Sequence, residues 1–262
     1  IKRGQRKGEI SVIAARPSIG KSLAKANLIK RQCEAGFKIC SVATEQTDEV
    51  ETDRIDSLIT GIPLTEIENS AEWEVGDPRI EQLIKANRKI DENWDYYLRV
   101  DRNLTLESMG SWLRELVNKH GEMDVCYIDL FDKLKDVNVA LNKAGLVGEK
   151  LGRLNQIAEE LNIHFCLIVQ INRELRHIKG HRPRVWHIKD SGAYEEVARL
   201  IILLHRESYY NKQIREHILE FNIAKQSNGP AGEGVIAKLD MDPNDLLLTW
   251  GQNVKPNLFE KS

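Results

Sequence analysis

Short apolar runs rich in branched side chains recur along the chain, separated by polar stretches of helical or loop character. The runs Glu9 to Ala14, Lys38 to Ala43, Tyr96 to Val100, Val125 to Asp129, His164 to Gln170 and Arg199 to Leu204 predict strands. Their near-continuous hydrophobicity is what a strand covered on both faces requires. Leu23 to Ala35 is amphipathic, and Val147, Leu151, Leu154, Ile157, Ala158 and Leu161 recur at helical spacing, which predicts a helix with that stripe on the sheet and Glu149, Lys150 and Glu159 in water. After Leu204 the pattern changes to three strand-like segments, Ile218 to Ala224, Gly234 to Leu239 and Leu246 to Trp250, divided by the turns Asn228-Gly229-Pro230 and Asp242-Pro243-Asn244. The expected fold is α/β, a mainly parallel sheet flanked by helices with antiparallel strands added at the C-terminal end.

Two segments carry no period, Leu130 to Gly145 and Asn172 to Gly192. Both follow the carboxyl end of a predicted strand, the edge at which open α/β sheets bind ligands, and so mark a working face.

Length and charge narrow the possibilities. A chain of 262 residues with 41% hydrophobic side chains has room for one large α/β domain or two small ones, and is read as a single domain over residues 1–262 with a large core. Its 38 Lys and Arg against 40 Asp and Glu exclude a generally basic nucleic-acid coat and confine nucleic-acid contact to local loops. No apolar run approaches the roughly 20 residues that cross a bilayer, and Ile1-Lys2-Arg3-Gly4-Gln5-Arg6 lacks the apolar centre of a secretory signal. Cys33, Cys40, Cys126 and Cys166 form no Cys-x-x-Cys pair and read as buried thiols of a reducing compartment. His177 and His181 have the nearest metal-like spacing, but no Cys lies close by and no zinc site is expected. The start on Ile1 reads as a piece trimmed from something longer.

The strongest motif is Ala15-Arg16-Pro17-Ser18-Ile19-Gly20-Lys21-Ser22, between the first strand and an amphipathic helix. Strand, small-residue loop and helix is the P-loop context. Gly20 permits the tight turn, backbone N–H groups and the helix terminus face a polyphosphate, Lys21 reaches its outer phosphates and Ser22 holds Mg²⁺ through its hydroxyl. Ala15 stands where the general motif has Gly. Hydrolysis also needs a carboxylate near Mg²⁺ and another beside the attacking water. Asp129 ends the run Val125-Cys126-Tyr127-Ile128, and Glu45 follows the strand ending at Ala43, on the same edge. Either acid alone is equally a turn former or a helix cap; the P-loop gives the pair its meaning. Gln170 closes a third strand there, as a sensor of the terminal phosphate or a satisfied buried amide.

These residues resemble the DnaB-type hexameric replicative helicases, whose motor is a RecA-like ATPase domain. The resemblance runs from about Gly8 to Trp250 and rests on Ala14 to Ser22, Val169-Gln170-Ile171-Asn172-Arg173, Lys189-Asp190-Ser191-Gly192, Arg206 to Lys212 and Ala224-Lys225-Gln226-Ser227-Asn228-Gly229-Pro230. That family commonly carries Ala at the position of Ala15. The resemblance implies a RecA-like P-loop NTPase that binds ATP and Mg²⁺, with Glu45 as catalytic base, Asp129 as the Walker B acid and Gln170 linking nucleotide state to DNA loops. It further implies Arg54 near the nucleotide base, and Lys189, Asp190 and Gly192 as a loop gripping the phosphates of single-stranded DNA. Lys179, Arg182 and Arg184 either add charge to that loop or are simply solvated. The implied assembly is a hexameric ring in the cytoplasm of a bacterial or phage-infected cell, with primase and a helicase loader as partners. A primase-interacting amino-terminal domain and a linker helix, which relatives use to build the ring, are absent from these residues.

One departure stands out. Relatives place a lysine and an arginine two residues apart before Asn-Gly-Pro, reaching into the neighbouring subunit's site; here Lys225 is kept and Ser227 replaces the arginine. Three functions therefore stand open: a DNA-translocating ATPase, a RecA- or RadA-like recombinase using the same core in filaments, and a nucleotide-gated DNA-binding or loading module with weak hydrolysis.

Overall fold

The computed structural model describes residues 5–135, 143–172, 175, 180–227, 236–242 and 247–250. In chain order the elements are β1 (Ile10–Ala15), α1 (Lys21–Glu34), β2 (Ile39–Ala43), α2 (Asp48–Thr60), α3 (Leu64–Glu68), α4 (Pro78–Asn93), β3 (Tyr96–Val100), α5 (Leu106–His120), β4 (Val125–Asp129), α6 (Lys143–Leu161), β5 (His164–Gln170), α7 (Ser191–Val197), β6 (Leu200–His205), α8 (Glu207–Tyr210), β7 (Ile218–Gln226), β8 (Ile236–Met241) and β9 (Leu248–Trp250). The strands join in one sheet of order β3-β2-β4-β5-β1-β6-β7-β8-β9. The pairs from β3 to β6 are parallel, and β7, β8 and β9 continue antiparallel. The six runs read as doubly covered strands are β1 to β6, with ends shifted by one residue at most.

Alternation along each strand builds two cores. Ile10, Val12 and Ala14 face Met109 and Leu113 of α5 and Leu151 and Leu154 of α6. Ile13 and Ala15 face the other way, onto Leu23, Ala24 and Ile29 of α1 and Ile55 and Leu58 of α2. Helix starts follow local chemistry. Thr47 Oγ1 accepts from Val50 N at α2, Asp77 caps α4 ahead of Pro78, and a reciprocal Thr105–Ser108 capping box opens α5.

Several expectations need correction. Lys150 is not a wet residue of α6: its Nζ donates to Leu134 O at 2.6 Å, satisfying a carbonyl in the segment after β4. The segment from Leu130 holds a 3₁₀ turn, Phe131–Lys133, anchored by buried Phe131 and Leu134, and α6 already begins at Lys143. One turn with two anchors is too short to show a period. Likewise Asn172 to Gly192 contains the 3₁₀ turn Val185–His187 and the start of α7. The expected strand residues Gly234, Val235 and Leu246 lie outside the described residues. All four cysteines are buried and unpaired. No described helix is long and apolar enough to cross a membrane.

His164 ties β5 to β1 and carries a pH prediction. Its Nδ1–H donates to Arg6 O at 2.8 Å, so the neutral ring accepts from Ser11 Oγ–H at Nε2, also 2.8 Å. Burial lowers its pKa from 6.5 to about 4. Because the unfolded chain binds the proton first, stability contributed by neutral His164 is intact above pH 6.5 and is lost as pH falls toward 4, by up to about 3 kcal/mol. Melting curves across that window should show the loss, and His164→Gln should flatten it.

Candidate nucleotide-binding site

The loop after β1 has the geometry of an anion cradle. Ser18 has φ 64° and Gly20 φ 129°. A Cβ on Gly20 would meet Leu219 and Leu23 only at ordinary contact distance, so backbone conformation, not space, requires glycine there. Gly20 caps α1 without any side-chain hydrogen bond to the helix start, which leaves first-turn N–H groups for a ligand. Lys21 is 9% exposed and its Nζ donates to Ala15 O and Arg16 O at 3.2 and 3.3 Å, so it lies back across the loop. Burial lowers its pKa, against the attraction of Asp129 and Glu45. Arg16 is 5% exposed, and its buried Nη1 has no hydrogen-bond partner among the described residues. Arg206, just after β6, donates through Nη2 to Ser18 O at 2.9 Å, while its buried Nε finds no acceptor among the described residues. Two guanidinium nitrogens short of acceptors beside a buried lysine fit a polyphosphate.

Strand register brings the acids to this loop. Ala43 of β2 pairs with Asp129 of β4, and Ala15 of β1 pairs with Gln170 of β5. Ser22 Oγ donates to Asp129 Oδ2 at 3.2 Å, an oxygen pair suited to a hard cation. Thr44 N donates to Asp129 O, and Thr44 Oγ1 donates to Leu130 O, which fixes the turn leading to Glu45. Glu45 is exposed, with Lys133 Nζ 3.4 Å away. Sequence reasoning thus placed Lys21, Ser22, Glu45, Asp129 and Gln170 at one sheet edge, and the structure brings them together there.

Beneath that edge lies a buried network that sequence reasoning missed. Lys25, 1% exposed, reaches Asp129 Oδ2 at 2.8 Å and Glu51 Oε2 at 2.6 Å. Arg54 Nη1 takes the other Glu51 oxygen at 3.3 Å, so Arg54 packs on this network as a partly buried side chain. Burial alone would lower the Lys25 pKa, but the two carboxylates hold it above the ordinary lysine value. Burial likewise opposes ionisation of Asp129, and Lys25, Lys21 and Ser22 more than offset it.

The Lys189 loop adjoins the site through backbone. Ile171, immediately after Gln170, bridges to Ile188, and Asn172 N donates to His187 O at 2.9 Å. Lys189 is exposed, Asp190 has φ 57° and starts α7, and Gly192 has open space around it. Asp132, a second residue not foreseen, joins both sides: its Oδ2 accepts from Gln170 N at 3.4 Å and its Oδ1 from the buried Tyr194 hydroxyl at 2.7 Å. Arg182 does not add free charge to this loop, because it pairs with Glu220. Arg184 lies over Trp186 at 5.5 Å. Lys179 and His177 lie outside the described residues; His181 Nδ1 donates to Leu175 O and its ring stacks on Tyr210 at 4.3 Å.

Lys225 is not brought to the P-loop of its own chain. It pairs with Ile201 near the start of β6, toward the opposite edge of the sheet, and its Nζ donates to Glu195 O. Ser227 is exposed beside it, with its N–H on Arg199 O at 3.0 Å.

Solved structures and sequence relatives share this fold or resemble this sequence. One solved ATPase domain superposes with a TM-score of 0.85 at 20% identity over 93% of this chain and 85% of that one. A DnaB-like replicative helicase, solved in a study of its interactions with primase, gives the same score and identity over 93% of this chain and 57% of that one. Among sequence relatives, the replicative DNA helicase DnaB of Helicobacter pylori is 25% identical over 218 residues, covering 83% of this chain and 44% of that protein. The DnaB of Buchnera aphidicola subsp. Baizongia pistaciae is 25% identical over 235 residues, covering 87% and 49%. A probable plasmid replicative DNA helicase of Chlamydia psittaci is 23% identical over 224 residues, covering 85% and 48%. The chain thus spans about half the length of these relatives. The family model described as the DnaB-like helicase C terminal domain matches residues 1–240, and the chain belongs to that family.

Proposed function

We propose that the chain is the ATP-hydrolysing motor of a replicative DNA helicase, acting in a hexameric ring that moves along single-stranded DNA. The observation that carries this reading is the convergence of Lys21, Ser22 and Asp129, with Glu45 and Gln170 on the adjoining strand ends, at one edge of the sheet. Lys21 and the open amino terminus of α1 neutralise the triphosphate, aided by Arg16 and Arg206. Ser22 and Asp129 would hold Mg²⁺, which when bound screens phosphate charge. Glu45, exposed at the same edge, takes a proton from the attacking water. Gln170 registers the terminal phosphate, and its Ile171–Ile188 backbone bridge carries the change to Lys189. Lys189 and backbone at Asp190 and Gly192 grip DNA phosphates, which gives no sequence preference. Lys225 serves the neighbouring copy's site. A primase and a loader complete the assembly, in the cytoplasm of a bacterial or phage-infected cell.

The expected separation of functions tests this. Lys189→Ala should weaken single-stranded DNA binding roughly fivefold and reduce the salt dependence by about 0.7 in log–log slope, with ATP binding unchanged. Unchanged DNA affinity would remove the loop from the scheme. One observation favours a second reading, a nucleotide-gated loading module with weak hydrolysis: Ser227 in place of the arginine that relatives use in trans.

A further inference from the structure

Lys25 is a charged residue in an apolar layer. It lies one helical turn beyond Lys21 on α1, between Ala24 and Ala26, in the layer containing Ile29 and Ile55. Its two acceptors are the candidate metal acid Asp129, at 2.8 Å, and Glu51, at 2.6 Å. The Asp129 oxygen it bonds is the one that also accepts from Ser22, so that oxygen has two donors, one of them a permanent cation. With Arg54 on Glu51, the four side chains balance to zero net charge among themselves.

Stability alone does not account for this group. A buried ion pair replaced by apolar side chains of similar volume is often as stable or more so, and the surrounding layer is already apolar. What an apolar pair could not do is act on Asp129. Building on the nucleotide-site reading above, we infer that Lys25 and Glu51 are positioning residues that set the effective charge of Asp129. Lys25 orients the carboxylate and cancels part of its charge; Glu51, held by Arg54, limits that cancellation. Together they fix the Mg²⁺ concentration at which the site accepts the metal–nucleotide complex. The two residues therefore act on the metal in opposite directions, through one carboxylate.

The test is a Mg²⁺ titration of fluorescent ATP-analogue binding by this chain, with melting curves recorded without nucleotide as a check of folding. The paired replacement Lys25→Met with Glu51→Leu removes a cation that touches Asp129 together with an anion that does not, and should lower the Mg²⁺ midpoint several-fold, roughly the difference between the two interactions. Glu51→Gln leaves Lys25 and Arg54 less balanced and should raise the midpoint several-fold, roughly the loss of the anion's interaction alone. General damage to the site would move both variants the same way. Equal midpoints, or shifts in one shared direction, overturn the inference while leaving the nucleotide site standing. If the paired variant does not fold, Glu51→Gln decides alone, and an unchanged midpoint overturns the inference. If the parent chain shows no Mg²⁺-dependent nucleotide binding, the site reading and this inference fall together.

Discussion

Replacing Glu45 by Gln is expected to lower ATP turnover about 10²- to 10⁴-fold, the usual contribution of a positioned general base, while nucleotide affinity stays within roughly twofold. The asymmetry follows from where Glu45 sits. Its carboxylate is exposed, and its ion-pair partner is Lys133, more exposed still, at 3.4 Å. Such pairs contribute little to stability, so the amide should change the melting temperature hardly at all. Its backbone, by contrast, is held by Thr44, whose N–H and hydroxyl donate to Asp129 O and Leu130 O. An isosteric change therefore removes proton affinity and keeps position. Steady-state turnover, equilibrium nucleotide binding and melting, measured together, check all three parts. Undiminished turnover would move the base elsewhere, and Asp132 is the next carboxylate whose field Lys21 feels.

Replacing Ser227 by Arg should act in the opposite sense. An arginine supplied in trans contributes about 10³ to 10⁵ in rate, and restoring one is expected to raise DNA-stimulated turnover by roughly tenfold or more in assembled protein. The geometry argues against an effect within one chain: Lys225 lies in, and Ser227 just after, the end of β7 that pairs with the start of β6, while the P-loop follows the end of β1. Ser227 is exposed, and its backbone is fixed by Arg199 O, so the longer side chain enters solvent or a neighbour and not the core. The gain should accordingly appear only at protein concentrations where copies associate. Turnover unchanged in the assembled variant would show that another cation already fills the role.

What could be read from residues alone follows from burial. Strands β1, β2, β4, β5 and β6 are packed on both faces, so their side chains are apolar almost without break, and their limits emerge to within a residue; the edge strand β3 is only partly buried. The P-loop and Asp129 were equally legible, because each chemistry sits at a fixed place relative to a strand end. Lys25 and Glu51 were not. Lysine and glutamate on amphipathic helices ordinarily mark the solvated face, and only the packing of α1 and α2 against β4 turns these two inward as mutual partners. Asp132 and Tyr194 escaped for a different reason. Asp132 lies in a 3₁₀ turn and Tyr194 in the seven-residue α7, both too short to show a period, and their bond spans 62 residues of sequence. Arg206 stood within a recognised motif, yet its place above Ser18 required the tertiary fold.

On the proposed reading, nucleotide hydrolysis at this sheet edge is coupled to DNA. The decisive experiment is steady-state ATP hydrolysis by the chain, with and without single-stranded DNA and beside the Glu45→Gln variant. Turnover that rises with DNA and collapses in the variant is the predicted result. Turnover indifferent to DNA, or surviving the loss of Glu45, would contradict it.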